Sequence, residues 1–285
     1  MREGRPSFTA AAVAVARSVA GVDALALALV DGPLAAVARV GRTGWAGAAV
    51  VNVATLGLVD HIELRTRAID AALREGVAAG LAQLVVLGAG LDARAWRMPE
   101  LAGVRVFEVD HPSTQAFKRA RVGDRAPEAR DVRFVPVDFA RDALSDALAA
   151  AGHDVQAPTF WVWEGVTMYL PPAAVRTTLA SIAQRSARAS RVAVTYATPR
   201  ASPLGPLAVR VAHVGFRLLG EPILGPRTSG EMRAELGDAG FRVTDDLSAT
   251  QWDDRYGDGR RRLLLMDEHL AVAVSDGPPR ASRAG

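Results

Sequence analysis

Leu84-Val-Val-Leu-Gly-Ala-Gly-Leu-Asp-Ala-Arg94 decides the architecture: a short apolar run breaks into a glycine turn. Strands buried on both faces read as continuous apolar runs, and glycines at the exit let the backbone approach a ligand with no Cβ in the way. In a doubly wound sheet this is the carboxyl end of the first strand, where nucleotide-like cofactors bind. Gly88 and Gly90 are therefore candidate cofactor contacts. The bland alternative is a tight strand-to-helix turn that binds nothing.

Outward from this turn, apolar runs alternate with helical stretches. Strands are expected at Gln83–Leu87, Val104–Val109, Val132–Val137, Thr159–Trp163 and Arg191–Tyr196, with helices at Ser113–Val122, Ala143–Ala151 and Pro172–Ala187. Such alternation implies βαβ units and a mainly parallel sheet covered by helices. Thr228-Ser-Gly-Glu231 carries a capping-box signal for a helix ending at Gly240, and Phe241–Ala249 and Glu268–Ser275 supply a final pair expected to be antiparallel. About seven strands result. Residues 1–80 show helical spacing and no strand run, so they read as a helical cap on a core over 81–275. Thr198–Thr228, proline-rich around an apolar Leu207–Leu219, reads as a lid inserted over the sheet's carboxyl edge. Asp276–Gly285 reads as a frayed tail.

Composition narrows the chemistry. The 285 residues are 49% hydrophobic, ample for a core, and contain no Cys, which excludes disulfide scaffolds, thiolate metal sites and cysteine nucleophiles. The basic residues are 33 Arg and the single Lys118, yet net charge is only +3, which is no nucleic-acid footprint. The apolar Phe8–Ala16 run is interrupted by Arg17 and Asp23, too soon for a membrane span, so a cytoplasmic protein without nucleic-acid or membrane partners is expected. Five His show no metal-ligand spacing, and there is no G-x-S-x-G elbow or Walker loop; no metal is expected.

Acids cluster at the predicted strand ends. Glu108 and Asp110 lie about twenty residues past the first glycine, where a carboxylate can accept from both ribose hydroxyls. Asp138 and Glu164 end the next two strands; Phe139 is placed to stack on an adenine whose amine Asp138 accepts, or else is plain core. The glycine pattern also suits a dinucleotide. A pyrophosphate, however, disfavours a nearby anion, and Asp92 sits inside the turn, so charge favours S-adenosylmethionine over NAD.

These residues together resemble the leucine carboxyl methyltransferase family, in particular its bacterial branch with polyketide-type carboxyl O-methyltransferases. The resemblance runs through Ser7-Phe-Thr9-Ala10 with Ala16-Arg17, Arg65-Thr-Arg-Ala-Ile-Asp70, Leu87–Arg94, Phe107-Glu-Val-Asp-His-Pro112 with Lys118, Val137-Asp-Phe139 and Glu164-Gly-Val-Thr-Met-Tyr-Leu170. The pattern departs at Ala93, where the family often has Thr, and nothing firm matches after Thr198. The resemblance implies a Rossmann-like class I methyltransferase fold, an α/β sheet with an N-terminal helical cap and a lid. It implies that Gly88 and Gly90 approach the methionine part of S-adenosylmethionine, that Asp110 binds the ribose and that Asp138 and Phe139 meet the adenine. Glu164 would take the methionine ammonium and Arg65 its carboxylate.

The acceptor is then expected to be a small natural-product carboxylate. Such a group is ionised at pH 7 and needs no general base, in keeping with the lack of an evident His or Asp-His motif. Tyr169 is the candidate residue for holding it, helped by Arg200, Arg210 and Arg217 of the lid. The alternatives are a phenol or hydroxyl acceptor with Tyr169 or His213 as base, an NAD(P)-dependent oxidoreductase, or a non-catalytic S-adenosylmethionine-binding protein. A homodimer is left open.

Overall fold

The computed structural model describes residues 7–139, 141–199, 224–264 and 266–277. Its centre is a seven-stranded sheet in the order β3-β2-β1-β4-β5-β7-β6. The strands are β1 Gln83–Leu87, β2 Arg105–Asp110, β3 Asp131–Pro136, β4 Thr159–Trp163, β5 Arg191–Ala197, β6 Phe241–Ser248 and β7 Glu268–Ser275. The first five are parallel, and β7 is antiparallel to both β5 and β6. This is the Rossmann-like class I methyltransferase arrangement expected above. Sheet order reverses between β1 and β4, so the crevice at their carboxyl ends is the topological switch point.

Every residue of β1 and β4 is buried, which explains why both strands read as uninterrupted apolar runs. Ten helices are described: α1 Phe8–Val19, α2 Gly32–Gly41, α3 Trp45–Ala54, α4 Leu58–Ala78, α5 Arg94–Arg97, α6 Pro112–Val122, α7 Leu144–Ala150, α8 Pro172–Gln184, α9 Ser229–Asp238 and α10 Ala249–Tyr256. Leu84, Val86, Phe160 and Val162 face one core with Ile69 and Leu73 of α4 and Trp252 of α10. Val85, Leu87, Trp161 and Trp163 face the other with Leu148, Leu179 and Leu236 of α7, α8 and α9. A third core joins α1, α2 and the start of α4 to Leu91, Ala93 and Val122, seating the helical cap beside the glycine turn.

The strand expected over Phe241–Ala249 stops at Ser248, because Ser248 is a helix cap: its side chain accepts from the Gln251 N–H while Gln251 reaches back to the Ser248 N–H. That box opens α10, which was not anticipated. The lid and its Arg200, Arg210, His213 and Arg217 lie, over residues 200–223, outside the described residues, as does the tail from residue 278. Among the described residues no single helix is long and apolar enough to cross a membrane.

Candidate functional site

Gly88 and Gly90 adopt φ of +65° and +51°, left-handed values that penalise any Cβ. A Cβ on Gly88 would sit 2.8 Å from Val166 Cγ2, and one on Gly90 3.3 Å from Ala10 Cβ of α1. The turn is thus squeezed between the cap and the loop after β4. The Gly90 N–H donates to Asp110 Oδ2, and the His111 N–H donates to Oδ1 at 2.6 Å. Burial raises the Asp110 carboxyl above its ordinary range, opposed by those two N–H donors.

Glu108, expected at the edge with Asp110, is not there. It lies two residues deeper on the same face, buried beneath α6, where Lys118 Nζ meets its Oε2 at 2.6 Å. Burial pushes its carboxyl up to about 7 despite the ammonium. The chain's one lysine serves this pair, and only Asp110 presents a carboxylate at the end of β2.

Beyond β4, Glu164 gathers three arginines from three parts of the chain. Oε1 accepts from Arg17 Nη2 of α1 at 2.7 Å and Arg65 Nε of α4 at 3.0 Å, and Oε2 accepts from Arg94 Nη1 of α5 at 2.9 Å. Burial alone would raise this carboxyl, but Arg17, Arg94 and Arg65 hold it well below the usual range. Asp92 belongs to the same network: Arg94 bonds it directly and Arg17 Nη1 lies at 3.9 Å. The loop anion used above to argue against a pyrophosphate is therefore neutralised, and that argument from charge is corrected. A different one replaces it. A pyrophosphate needs a helix N-terminus with a sizeable dipole, and α5 after the turn has only 4 residues.

Arg17, Arg94, His61 and Glu268 were not singled out from sequence. Arg17 had a signal, being the lone charge in an apolar helix, and buried charges require partners. Arg94 Nη2 is buried with no partner. Asp138 and Phe139 follow β3, with Phe139 exposed and Asp138 3.7 Å from Arg141. Tyr169 closes a single 3₁₀ turn after β4 and is half-buried. The expectation of no Asp-His pair also needs correction, since His269 Nδ1 lies 3.2 Å from Asp246 Oδ1, with Tyr196 Oη donating to that oxygen at 2.7 Å. Two neighbouring antiparallel strands bring these residues together from 23 positions apart, a separation no local motif records. Among the described residues no group of His, Asp or Glu is arranged to hold a metal.

The family model for leucine carboxyl methyltransferase matches residues 10–183. A Streptomyces coelicolor protein assigned as an S-adenosyl-L-methionine-dependent methyltransferase is 41% identical over 140 residues, 49% of this chain and 50% of its own length. A Mycobacterium sp. (strain JLS) protein of the same assignment is 36% identical over 209 residues, 70% of this chain and 67% of its own. For the first of these relatives the match spans about half their length. Among solved structures, a DUF574-family protein of Streptomyces avermitilis superposes with a TM-score of 0.64 at 17% identity, covering 95% of this chain and 98% of that one. At that identity the likeness speaks to fold alone.

Proposed function

The chain belongs to the leucine carboxyl methyltransferase family, and from that premise we propose that it is an S-adenosylmethionine-dependent O-methyltransferase esterifying a carboxylate of a small, polyketide-like acid. The observation that carries this reading is Glu164 at the switch point, ringed by Arg17, Arg65 and Arg94. A methionine end is a zwitterion, and this donor set offers both signs of charge with a buried, unpartnered Arg94 nitrogen still available. The residues fit the cofactor.

In this reading Glu164 accepts the ammonium and Arg65 pairs with the carboxylate. The backbone at Gly88 and Gly90 passes close to the methionine chain. Asp110 accepts from the ribose hydroxyls, its carboxylate already oriented by the Gly90 and His111 N–H groups. Asp138 and Phe139 meet the adenine. The bound cofactor supplies an electrophilic methyl group on a sulfonium. The chain's own contribution is alignment and exclusion of water: the cap helix α1 packs against the glycine turn, and Tyr169, at the end of the 3₁₀ turn after β4, orients the acceptor. An ionised carboxylate attacks without a general base.

One observation favours a second reading. Asp246 and His269 form a carboxylate–imidazole pair at the far side of β5, of a kind that deprotonates hydroxyl acceptors. The two readings separate chemically. With methyl-labelled S-adenosylmethionine and candidate acids, the expected product releases labelled methanol in mild alkali. Label that resists alkali, together with turnover lost in His269→Gln, would replace the carboxylate by a hydroxyl.

A further inference from the structure

Arg65 does not stand alone. On α4, His61 and Arg65 are four residues apart and so share a face, which they turn toward the first residue of β7. Arg65 Nη1 donates to Glu268 Oε2 at 3.0 Å and Oε1 at 3.3 Å, while its Nε goes to Glu164. His61 Nε2 lies 2.5 Å from Glu268 Oε2, and both side chains are buried. His61 Nδ1 is buried without a partner, so the ring proton sits on Nε2 and is donated to the carboxylate. The Thr195 hydroxyl of β5 also favours the ionised Glu268 carboxyl, and its oxygen accepts the Gly165 N–H at 2.8 Å. Gly165 is the residue after Glu164.

Glu268 therefore grips both halves of the charge-binding pocket. It draws one arm of Arg65 away from Glu164, so Arg65 Nη2 has no acceptor among the described residues and lies beside Gly165, where a Cβ would be 3.5 Å from it. Through Thr195 it also fixes the turn that carries Glu164. Neither Glu268 nor His61 bonds Glu164 itself. Burial would raise the Glu268 carboxyl, but Arg65 and His61 hold it down at about 2, so it is an anion throughout the physiological range.

We propose that Glu268, held by His61 and Thr195, is the positioning residue that sets Arg65 and Glu164 for the amino-acid end of the cofactor, an inference that rests on the methionine reading of that pocket. If Glu268 becomes neutral, Arg65 has no second anion to span to and folds fully onto Glu164, occupying the group that the ammonium requires. The adenosine end, held from β2 and β3, is untouched by this change.

The test compares two ligands on the full-length chain by calorimetry: S-adenosylhomocysteine, which carries the amino-acid end, and 5′-methylthioadenosine, which lacks it. Glu268→Gln should weaken S-adenosylhomocysteine about tenfold or more, the scale of a misplaced charge-assisted contact, and leave methylthioadenosine within about twofold. His61→Phe, which keeps ring bulk and removes the donor, should show the same selectivity, and His61→Gln, which restores an N–H, should recover most of the affinity. A merely structural Glu268 would weaken both ligands alike or neither, and either result overturns the proposal. Should Glu268→Gln fail to fold, Thr195→Val reports on the same relay with the same two ligands. Glu164→Gln separates the premise from the inference. If it leaves S-adenosylhomocysteine binding unchanged, the methionine reading itself fails; if it abolishes selectivity for the amino-acid end while Glu268→Gln and His61→Phe do not, only the relay fails.

Discussion

Replacing Lys118 by Met tests the buried pair beneath α6, and its consequences can be worked out from the geometry. The substitution keeps a long unbranched side chain but removes the ammonium 2.6 Å from Glu108 Oε2 and 5.1 Å above the Trp96 ring. With Glu108 protonated, the loss is one hydrogen bond and one cation–π contact, together about 2 kcal/mol. With Glu108 ionised, an unpaired carboxylate remains in the interior. Glu108 has a folded pKa of about 7, above its unfolded value, so its stabilising contribution is complete below the unfolded pKa and is lost as pH rises through 7. Without Lys118 the folded pKa moves higher still. Wild type then stops losing stability above pH 7, whereas the variant continues at about 1.36 kcal/mol per pH unit. At about pH 8.5 the extra loss is about 2 kcal/mol, bringing the total to about 4, within the ~3–5 kcal/mol typical of a broken buried pair. Thermal melts should therefore show a fall in Tm at about pH 8.5 roughly twice that at about pH 5.5, and the added Glu108→Leu change should restore most of it at alkaline pH. Equal Tm losses at the two pH values would refute the assignment of an ionised Glu108 partnered by Lys118.

Asp110→Ala should weaken S-adenosylhomocysteine at least tenfold by calorimetry, because it removes the proposed ribose acceptor and also frees the Gly90 and His111 N–H groups; a change below threefold in a folded variant counts against it. Gly88→Ala should destabilise by about 1–2 kcal/mol from the left-handed φ alone, with more from the 2.8 Å approach to Val166, read as a fall in denaturant midpoint without a change in slope. Thr228→Ala dismantles a reciprocal capping box with Glu231 and should cost about 1 kcal/mol, seen as a Tm loss of a few degrees, with cofactor binding retained.

What could be read in advance follows a physical division. β1 and β4 were legible to the residue because a strand inside a parallel sheet has no face to give to water, and an unbroken apolar run has few other uses. Asp110 and Glu164 were legible because the carboxyl ends of alternating strands must share one edge. Glu108 was misplaced for a related reason, since a strand's alternation puts it on the same face as Asp110 but says nothing of the helix that covers it. Ala249 was taken into β6 although Ser248-Ala-Thr-Gln251 repeats the capping spacing recognised at Thr228, so that miss was one of weighting. The ion network was illegible for a deeper reason. His61 meets Glu268 across 207 residues and Arg17 meets Glu164 across 147, and such pairings exist only once the sheet has closed.

The same separations have a bearing on how the protein comes into being. The pocket draws on Arg17 in the first helix and on Glu268 in the last strand, 251 positions apart by subtraction of their numbers. At ~5–20 residues per second, a ribosome takes roughly 12–50 s to travel between them. Over its last 104 positions, from Glu164 to Glu268 by the same subtraction, Arg17, Arg65, Arg94 and Glu164 have been made while the anion that would balance Arg65 has not. A nascent chain stalled before β7 should thus carry an incompletely neutralised cluster and bind no cofactor, and competence should appear only when the final antiparallel strand slots between β5 and β6. Gradual replacement of the codons before Glu268 by slow ones would delay competence without altering a single side chain.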